Sequence, residues 1–408
     1  VTAATEGISS LPPSIFELLG DEGRADPYAL YRRIRSRGNV TEQMPGLWAV
    51  CGRADGEAIL RSRAFLTADL GALRNVFAPS PKPSTFMERM RKTMLMKNPP
   101  DHMRLRRLVS RAFTPHVIET LRPRIEQLTD LLLDNMEGQS SSELISEFAF
   151  PLPVLVIAEL LGVPANDRDI FRDWARAMVG ALDLQSDRTE MDAADAAGEE
   201  CEAYLANLVA KRRTTPKDDL LSLMVAAEDD GQRLTEDELL ANAMLLLLAG
   251  HETTVNLIGN GVLSLLRNPG QAARLRNGEV TLASTIEELL RYESPVQLTV
   301  RRAAEDTCVA GATIPAGGHV VLLLGAINRD PEFFASPDQL DVGRADNDHL
   351  AFGDGSHICL GASLARLEGQ IAVSSLVKRF PDMALFNSLV HWREQASLRG
   401  LKELRVAF

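Results

Sequence analysis

Apolar residues recur at three-and-four spacing through long Leu-, Ala-, Glu- and Arg-rich stretches from about Met87 to Arg267, with proline or glycine at their ends. That period gathers apolar side chains on one face of an α-helix, so it predicts a mainly helical body. Short strand-like runs stand at Leu47 to Cys51 and at His319 to Leu324, the second after the turn-rich Ala310-Gly311 and Ala316-Gly317-Gly318. They predict a minor β region. One helix has a legible start: Thr235-Glu236-Asp237-Glu238 has the Thr-x-x-Glu spacing of a capping box and leads into a leucine run. The most apolar stretch, Leu239 to Gly250, is about twelve residues with Asn242 inside it, short of the ~20 needed to span a bilayer. No repeat or linker divides the chain, and one domain over residues 1–408 is expected. The acidic segment Asp183 to Glu202 reads as the solvated face of a helix or its preceding loop.

Composition narrows the class. The 408 residues are 45% hydrophobic and 25% charged, with 28 Gly and 21 Pro, which fits a folded globular protein rather than a disordered or fibrous one. The net charge is 44 − 56 = −12, so a general positive field for nucleic acid is absent. Cysteines stand at 51, 201, 308 and 359, too far apart for a C-x-x-C pair or a dense disulfide framework. A reducing compartment follows, and neither a signal peptide nor an anchor is visible near residue 1, so a cytoplasmic location without a membrane partner is expected.

The densest chemistry lies in Phe352-Gly353-Asp354-Gly355-Ser356-His357-Ile358-Cys359-Leu360-Gly361, followed at once by the helix-like Ala362-Ser363-Leu364-Ala365-Arg366. Glycines around one cysteine free the backbone, so peptide N–H groups can turn toward the sulfur, and the following helix brings its positive dipole end close. Both effects favour thiolate over thiol. A thiolate held this way suits the axial position of haem iron, where it pushes electron density toward O–O cleavage. A phosphate-loop reading fails, because G-x-G-x-x-G from Gly353 needs glycine at 358 and meets Ile358. A lone cysteine is more often structural; this setting reverses that reading.

The segment resembles the haem-binding signature of the cytochrome P-450 family, F-G-x-G-x-H-x-C-x-G, which Phe352, Gly353, Gly355, His357, Cys359 and Gly361 match. The resemblance implies that Cys359 is the proximal iron ligand of haem b, that His357 contacts a haem propionate and that Phe352 packs beside the ligand loop. Three further segments follow the family's pattern. In Ala249-Gly250-His251-Glu252-Thr253-Thr254, the bland reading is a core helix whose threonine bonds back to the carbonyl one turn earlier. The resemblance makes it the distal helix, with Ala249 and Gly250 beside the haem, space for oxygen at Gly250, and Glu252 and Thr253 supplying protons to dioxygen. Glu288-Leu289-Leu290-Arg291 alone would be a surface ion pair; the family's E-x-x-R pair, completed here by Arg344, makes it a structural lock. His102 and Arg106, four apart on one helix face, suit a pair of carboxylates. By resemblance they and Arg301 hold the haem propionates, with Arg302 the neighbour most easily confused with Arg301.

From Lys97 to Arg111 five basic residues meet one acidic residue, a local +4 in a −12 chain. The family receives electrons on such a patch, so a separate ferredoxin with its ferredoxin reductase is the expected partner and charge attraction would aid the encounter. The resemblance runs from about Asp26 to Arg399-Gly400-Leu401 and is strongest to soluble bacterial members that tailor polyketides and macrolides. Met103 and Asp354 depart from it, standing where threonine and histidine are common. The implied fold is the cytochrome P-450 fold, mainly α with a minor β region, and haem between a long distal helix and the cysteine-loop helix. The implied activity is a monooxygenase that uses O2 to hydroxylate or epoxidise a large apolar molecule. Implied substrate contacts are Leu245, Leu248, Ala249, Val296, Leu298 and Leu398, mostly aliphatic. Two rivals are a peroxide-driven haem-thiolate enzyme, whose members usually lack the acid–alcohol pair, and a non-enzymatic haem sensor, which usually carries an output domain.

Overall fold

Helices dominate the computed structural model, which describes residues 12–68, 84–111, 113–181 and 186–408. The principal ones are α1 (Pro27–Arg35), α2 (Arg53–Arg61), α3 (Asp101–Ser110), α4 (Arg122–Asp134), α5 (Pro151–Leu160), α6 (Arg168–Gly180), α7 (Arg188–Thr214), α8 (Glu236–Arg267), α9 (Leu282–Tyr292) and α10 (Ala362–Arg379). The capping box at the start of α8 is complete: Thr235 Oγ1 accepts from the Glu238 N–H at 3.3 Å and the Thr235 N–H donates to Glu238 Oε2 at 2.9 Å. Acidic Glu236, Asp237 and Glu238 sit at the positive end of its dipole. The helix runs for 32 residues, about 48 Å at 1.5 Å per residue, and stops at Asn268 before Pro269, whose ring cannot continue it.

A helix whose apolar residues are not confined to one face belongs in a core, and α8 packs against α5, α7, α9 and α10. Around it lies one large apolar cluster that includes Leu105, Phe148, Ile157, Met244, Leu248 and Leu364. Among the described residues no helix is long and apolar enough to cross a membrane. The acidic segment departs from a uniformly solvated face: Asp195 on α7 is buried and accepts from Ser84 Oγ at 2.6 Å and from the Phe86 N–H at 2.9 Å. It is thereby held by a contact between segments far apart in the chain.

The main sheet has strands β1 (Val40–Met44), β2 (Leu47–Val50), β3 (Phe65–Thr67), β4 (Thr299–Ala303) and β5 (His319–Leu322) in the order β1-β2-β5-β4-β3. β2 is buried throughout and pairs in parallel with β5. β5 stops at Leu322, earlier than the apolar run suggests. Its ladder with β2 ends where Leu323 N donates to Val50 O at 2.9 Å, and the chain turns into a short helix, Leu324–Ile327. β4 sits between β5 and β3, in register with Arg301 opposite Val320 on one side and Thr67 on the other.

Glu288 and Arg291 are 0% exposed, so they are not a surface pair. Arg291 donates to both Glu288 oxygens, at 2.7 and 2.9 Å, and to the carbonyls of Asn328 and Pro337 at 2.9 Å. Arg344 Nε donates to Glu288 Oε2 at 3.0 Å, and the Asp341 N–H to Oε1 at 2.8 Å. The carboxylate thus ties α9 to the loop 337–347 that precedes the cysteine segment. Removing one member of a buried, hydrogen-bonded ion pair strands the other without water. Arg291→Ala should therefore lower the unfolding free energy by about 3–5 kcal/mol, measured by denaturant titration. A loss below about 1 kcal/mol, the scale of an exposed pair, would contradict this account.

Candidate active site

Positive φ is what the cysteine loop demands first. Gly353 (φ 68°) and Gly355 (φ 67°) both adopt the left-handed region, and a Cβ at Gly355 would lie 2.2 Å from Leu60 O on α2. Asp354, a departure from the family wording, accepts from the Gly355 N–H at 2.7 Å and pairs with Arg61 Nε at 2.8 Å, so it also fixes the loop to α2. The loop closes where Cys359 N donates to Phe352 O at 2.8 Å, and α10 begins at Ala362 with Gly361 as its cap. Arg366 lies over the Phe352 ring at 4.5 Å and donates to both oxygens of Glu287, at 2.7 and 2.8 Å. Burial alone would raise Glu287, but the Arg366 hydrogen bonds and His349 outweigh it and hold it at about 2.

Cys359 is exposed as a residue, yet protein encloses its thiol on most sides. That enclosure pushes its thiol up, while the Gly361 N–H, Arg106 and Arg366 pull the other way and do not win. The Gly361 N–H thus favours the thiolate, as expected of a glycine-rich turn around the sulfur, while enclosure by protein opposes it.

Beside the loop lies an unbalanced cationic cluster. His102 on α3 and His357 stack with ring centroids 3.8 Å apart. His102 Nδ1 and His357 Nε2 are buried without a hydrogen-bond partner. Burial, then His102, Arg301 and Arg106, depress His357 to about 3; burial with Arg106 and Arg301 lowers His102. Arg301 on β4 is 8% exposed, donates only to Thr299 Oγ1 and Val300 O, and is pushed down to about 10 by burial. Among the described residues no carboxylate pairs with Arg106 or Arg301. A buried guanidinium without a counter-charge is costly, so this cluster is shaped to receive anions.

The long helix opens in one place. From Leu239 to Leu265 on α8 every residue is buried except Ala249, Gly250 and Thr253, which share one face because they are three and four apart. Thr253 Oγ1 donates to Ala249 O at 2.8 Å, so the back-bond of the bland reading is present, and its oxygen keeps acceptor capacity toward the opening. Glu252 points elsewhere: it is 3% exposed and ion-paired with Arg393 from the C-terminal segment. His251 is fully buried, meets Phe150 edge-on, and is held at about 3 by burial, Arg393 and Arg176.

Val296 and Leu398 form a β-bridge with one another. Leu245 and Leu248 are buried in the main cluster, against which Leu398 packs, whereas Leu298 packs on a different cluster with Tyr31 and Val300. Of the six expected substrate positions, Ala249 is the one that is exposed. The basic segment is less free than its sequence suggests. Arg104 donates to Glu238 at the start of α8, and Arg107 and Arg111 pair with Asp229 at 2.8 and 2.6 Å, in a hairpin that the composition of residues 97–111 does not include. Sequence reasoning missed Arg393 and Arg366, whose partners lie 141 and 79 residues away. It also missed Glu368 on α10, which burial lifts to about 8.

Comparison with known proteins agrees with this geometry. The family model described as cytochrome P450 matches residues 59–382. The chain is 52% identical to cytochrome P450 107B1 of Saccharopolyspora erythraea over 316 residues, 77% of this chain and 76% of the relative. Among solved structures it resembles P450BioI in complex with acyl carrier protein ligated to hexadec-9Z-enoic acid, with a TM-score of 0.88 and 39% identity over 95% of this chain and 99% of that one. It also resembles the bacillaene polyketide synthase cytochrome P450 PksS of Bacillus subtilis 168, with a TM-score of 0.87 and 38% identity over 96% and 98%.

Gly355→Ala should force the loop away from Leu60 and impose left-handed strain of about 1–3 kcal/mol. The expected outcome is a lower Tm with less haem bound per chain after purification; an unchanged Tm and full haem content would show that the loop tolerates the side chain.

Proposed function

The chain belongs to the cytochrome P450 family, whose cofactor is haem, and is a monooxygenase; from that premise we propose that it oxidises a large apolar molecule of polyketide type with electrons from a separate ferredoxin and ferredoxin reductase. The observation that carries this reading is the opening of an otherwise buried α8 at Ala249, Gly250 and Thr253 alone between Leu239 and Leu265. A reaction that must admit dioxygen and exclude bulk water needs such a restricted face.

The residues fit protoporphyrin IX iron. Cys359 stands exposed in the glycine loop, and Arg106 and Arg301, which have no carboxylate partner among the described residues, with the orphaned ring nitrogens of His102 and His357, match two propionates. Cys359 Sγ would hold the iron, with Gly361 N–H, Arg106 and Arg366 stabilising its negative charge. Phe352, Gly353 and Gly361 shape the loop around it. Ala249 and Gly250 leave room on the distal side. When bound, the haem supplies the oxygen-activating chemistry. With its O–H spent on Ala249, Thr253 Oγ1 has only acceptor capacity left, so it can hold a water or a proton donor at the opening. Glu252 is the neighbouring group able to pass protons there. The balance is one substrate C–H or C=C, one O2, two electrons and two protons, giving the oxygenated product and, with its second oxygen, water. Leu245, Leu248, Ala249, Val296, Leu298 and Leu398 would face the substrate. Glu288, Arg291 and Arg344 act at a distance, by fixing the loop that leads to Cys359.

The polyketide-type reading rests on the likeness to PksS, whereas the likeness to P450BioI points to acyl chains. Substrate-induced spin-state change of the Soret band across polyketides and fatty acyl compounds separates them. The proposed ligand is tested by Cys359→Ser, which should abolish the far red-shifted Soret band of the reduced carbon-monoxide complex. Survival of that band, or its dependence on Cys51, Cys201 or Cys308, would sink the assignment. Against a peroxide-driven enzyme, Thr253→Ala should keep haem and substrate binding but divert reducing equivalents into hydrogen peroxide. NAD(P)H consumed, peroxide released and product formed are measured together; tight coupling in the variant would remove Thr253 from the mechanism.

A further inference from the structure

Two segments distant in the chain meet at a single β-bridge, Val296 with Leu398. The Gln297 N–H donates to Ser397 O at 2.9 Å and the Arg399 N–H to Pro295 O at 2.8 Å. Val296 and Leu398 are therefore the pair lying between two hydrogen bonds, in which side chains stand closest and on one face. Successive residues of an extended chain point to opposite faces. Val296 and Leu398 are half-buried on one face, whereas Gln297 and Arg399, 3% and 7% exposed, turn into protein on the other.

Helix α1 holds that buried face. Tyr28 and Tyr31, three apart on one side of α1, meet edge-on with ring centroids 5.9 Å apart. The Tyr31 O–H donates to Gln297 Oε1 at 2.9 Å, and Gln297 Nε2 donates to Ser294 O at 2.7 Å. A Cβ at Gly325 would lie 2.3 Å from the same Oε1, so the amide has no spare room on that side. Arg399 reaches the approach to α1: Nη1 and Nη2 donate to Arg24 O and Ala25 O at 2.5 and 3.3 Å. Its Nε donates at 2.5 Å to Glu293 Oε1, which also accepts from the Tyr28 O–H at 2.7 Å. Its guanidinium lies over the Trp392 ring at 3.5 Å. Beside these groups is a surface cleft lined by Tyr31, Gln297, Trp392, Ala396, Arg399 and Gly400. Directional polar contacts next to open space, rather than close packing on all sides, thus fix the back of the bridge.

We propose that Tyr31, through Gln297, and Arg399 are positioning residues that set substrate selectivity: from α1 they fix where Val296 and Leu398 stand, without touching the substrate themselves. The proposal rests on the reading of Val296 and Leu398 as substrate contacts. A binding face discriminates shapes only when its side chains are held to within about 0.5 Å. Removing the Tyr31 hydroxyl leaves a buried amide oxygen short of its donor, and the amide can regain one only by turning toward the cleft. Because Gln297 is the next residue after Val296 and its N–H bonds Ser397, that movement is passed to both aliphatic side chains of the bridge.

Ligands that bind haem iron through an imidazole nitrogen test this in the haem-loaded enzyme, read from the Soret shift. Imidazole itself meets little beyond the iron, whereas 4-phenylimidazole and 1-dodecylimidazole must also meet the pocket walls. Tyr31→Phe should leave the dissociation constant of imidazole unchanged and weaken the two larger ligands by about three- to tenfold, the worth of one buried neutral hydrogen bond. Arg399→Lys, which keeps the charge but not the planar fork, should act in the same direction. In a background carrying Val296→Ala and Leu398→Ala, Tyr31→Phe should add nothing, because the side chains it acts through are gone. A purely structural role for Tyr31 would lower Tm without separating large ligands from small. Equal weakening of imidazole, no weakening of the larger ligands, or a full further effect of Tyr31→Phe in that background would overturn the proposal. Val296→Ala and Leu398→Ala by themselves decide the premise. If they leave the larger ligands unchanged, these residues do not face the pocket and the reading beneath the proposal falls; if they alter that binding while Tyr31→Phe and Arg399→Lys are silent, the positioning role alone falls.

Discussion

Water exclusion around a single long helix is the constraint on which the rest depends. α8 is buried from Leu239 to Leu265 by helices on several sides, so any side chain on it that must reach a ligand needs a local gap in that packing. The gap is made by small residues, Ala249 and Gly250, and by a threonine whose hydroxyl turns back onto the helix. A larger side chain at 250 would meet Ile157, 3.5 Å from an added Cβ. The opening is thus a consequence of what the helix lacks at those positions, since from Leu239 to Leu265 the other residues of α8 are buried.

Buried charge is handled in two opposite ways. Glu288 is saturated by Arg291, Arg344, the Asp341 N–H and Asn347, so its charge never faces low dielectric unpaired. Arg301 is left without a counter-charge among the described residues, and beside it the stacked rings of His102 and His357 keep nitrogens without a hydrogen-bond partner. The first arrangement stabilises a fold by itself. The second is costly until an anionic partner arrives, and its position beside Cys359 makes an anionic, metal-bearing cofactor the natural complement.

The basic segment shows why counting charges along the chain overstates a surface field. Three of its arginines meet Glu238 and Asp229, brought near by the packing of α3 against the hairpin at residues 228–233 and the start of α8. Pairing at contact distance cancels most of the long-range field that a partner would sense.

The sequence by itself determined the helical character, the start of α8 and the turn of the cysteine loop, because those depend on local periods, caps and glycine-permitted backbone within a few residues. Phe352 to Gly361 and Ala249 to Thr254 are legible for that reason. Only the tertiary structure decided the rest. That Glu288 and Arg291 are buried, that burial pushes the Cys359 thiol up, that Asp195 is a buried acceptor, and that Glu252 turns to Arg393 all depend on neighbours supplied from distant segments. Desolvation and ion pairing are properties of what surrounds a group in space, and a one-dimensional pattern records neither.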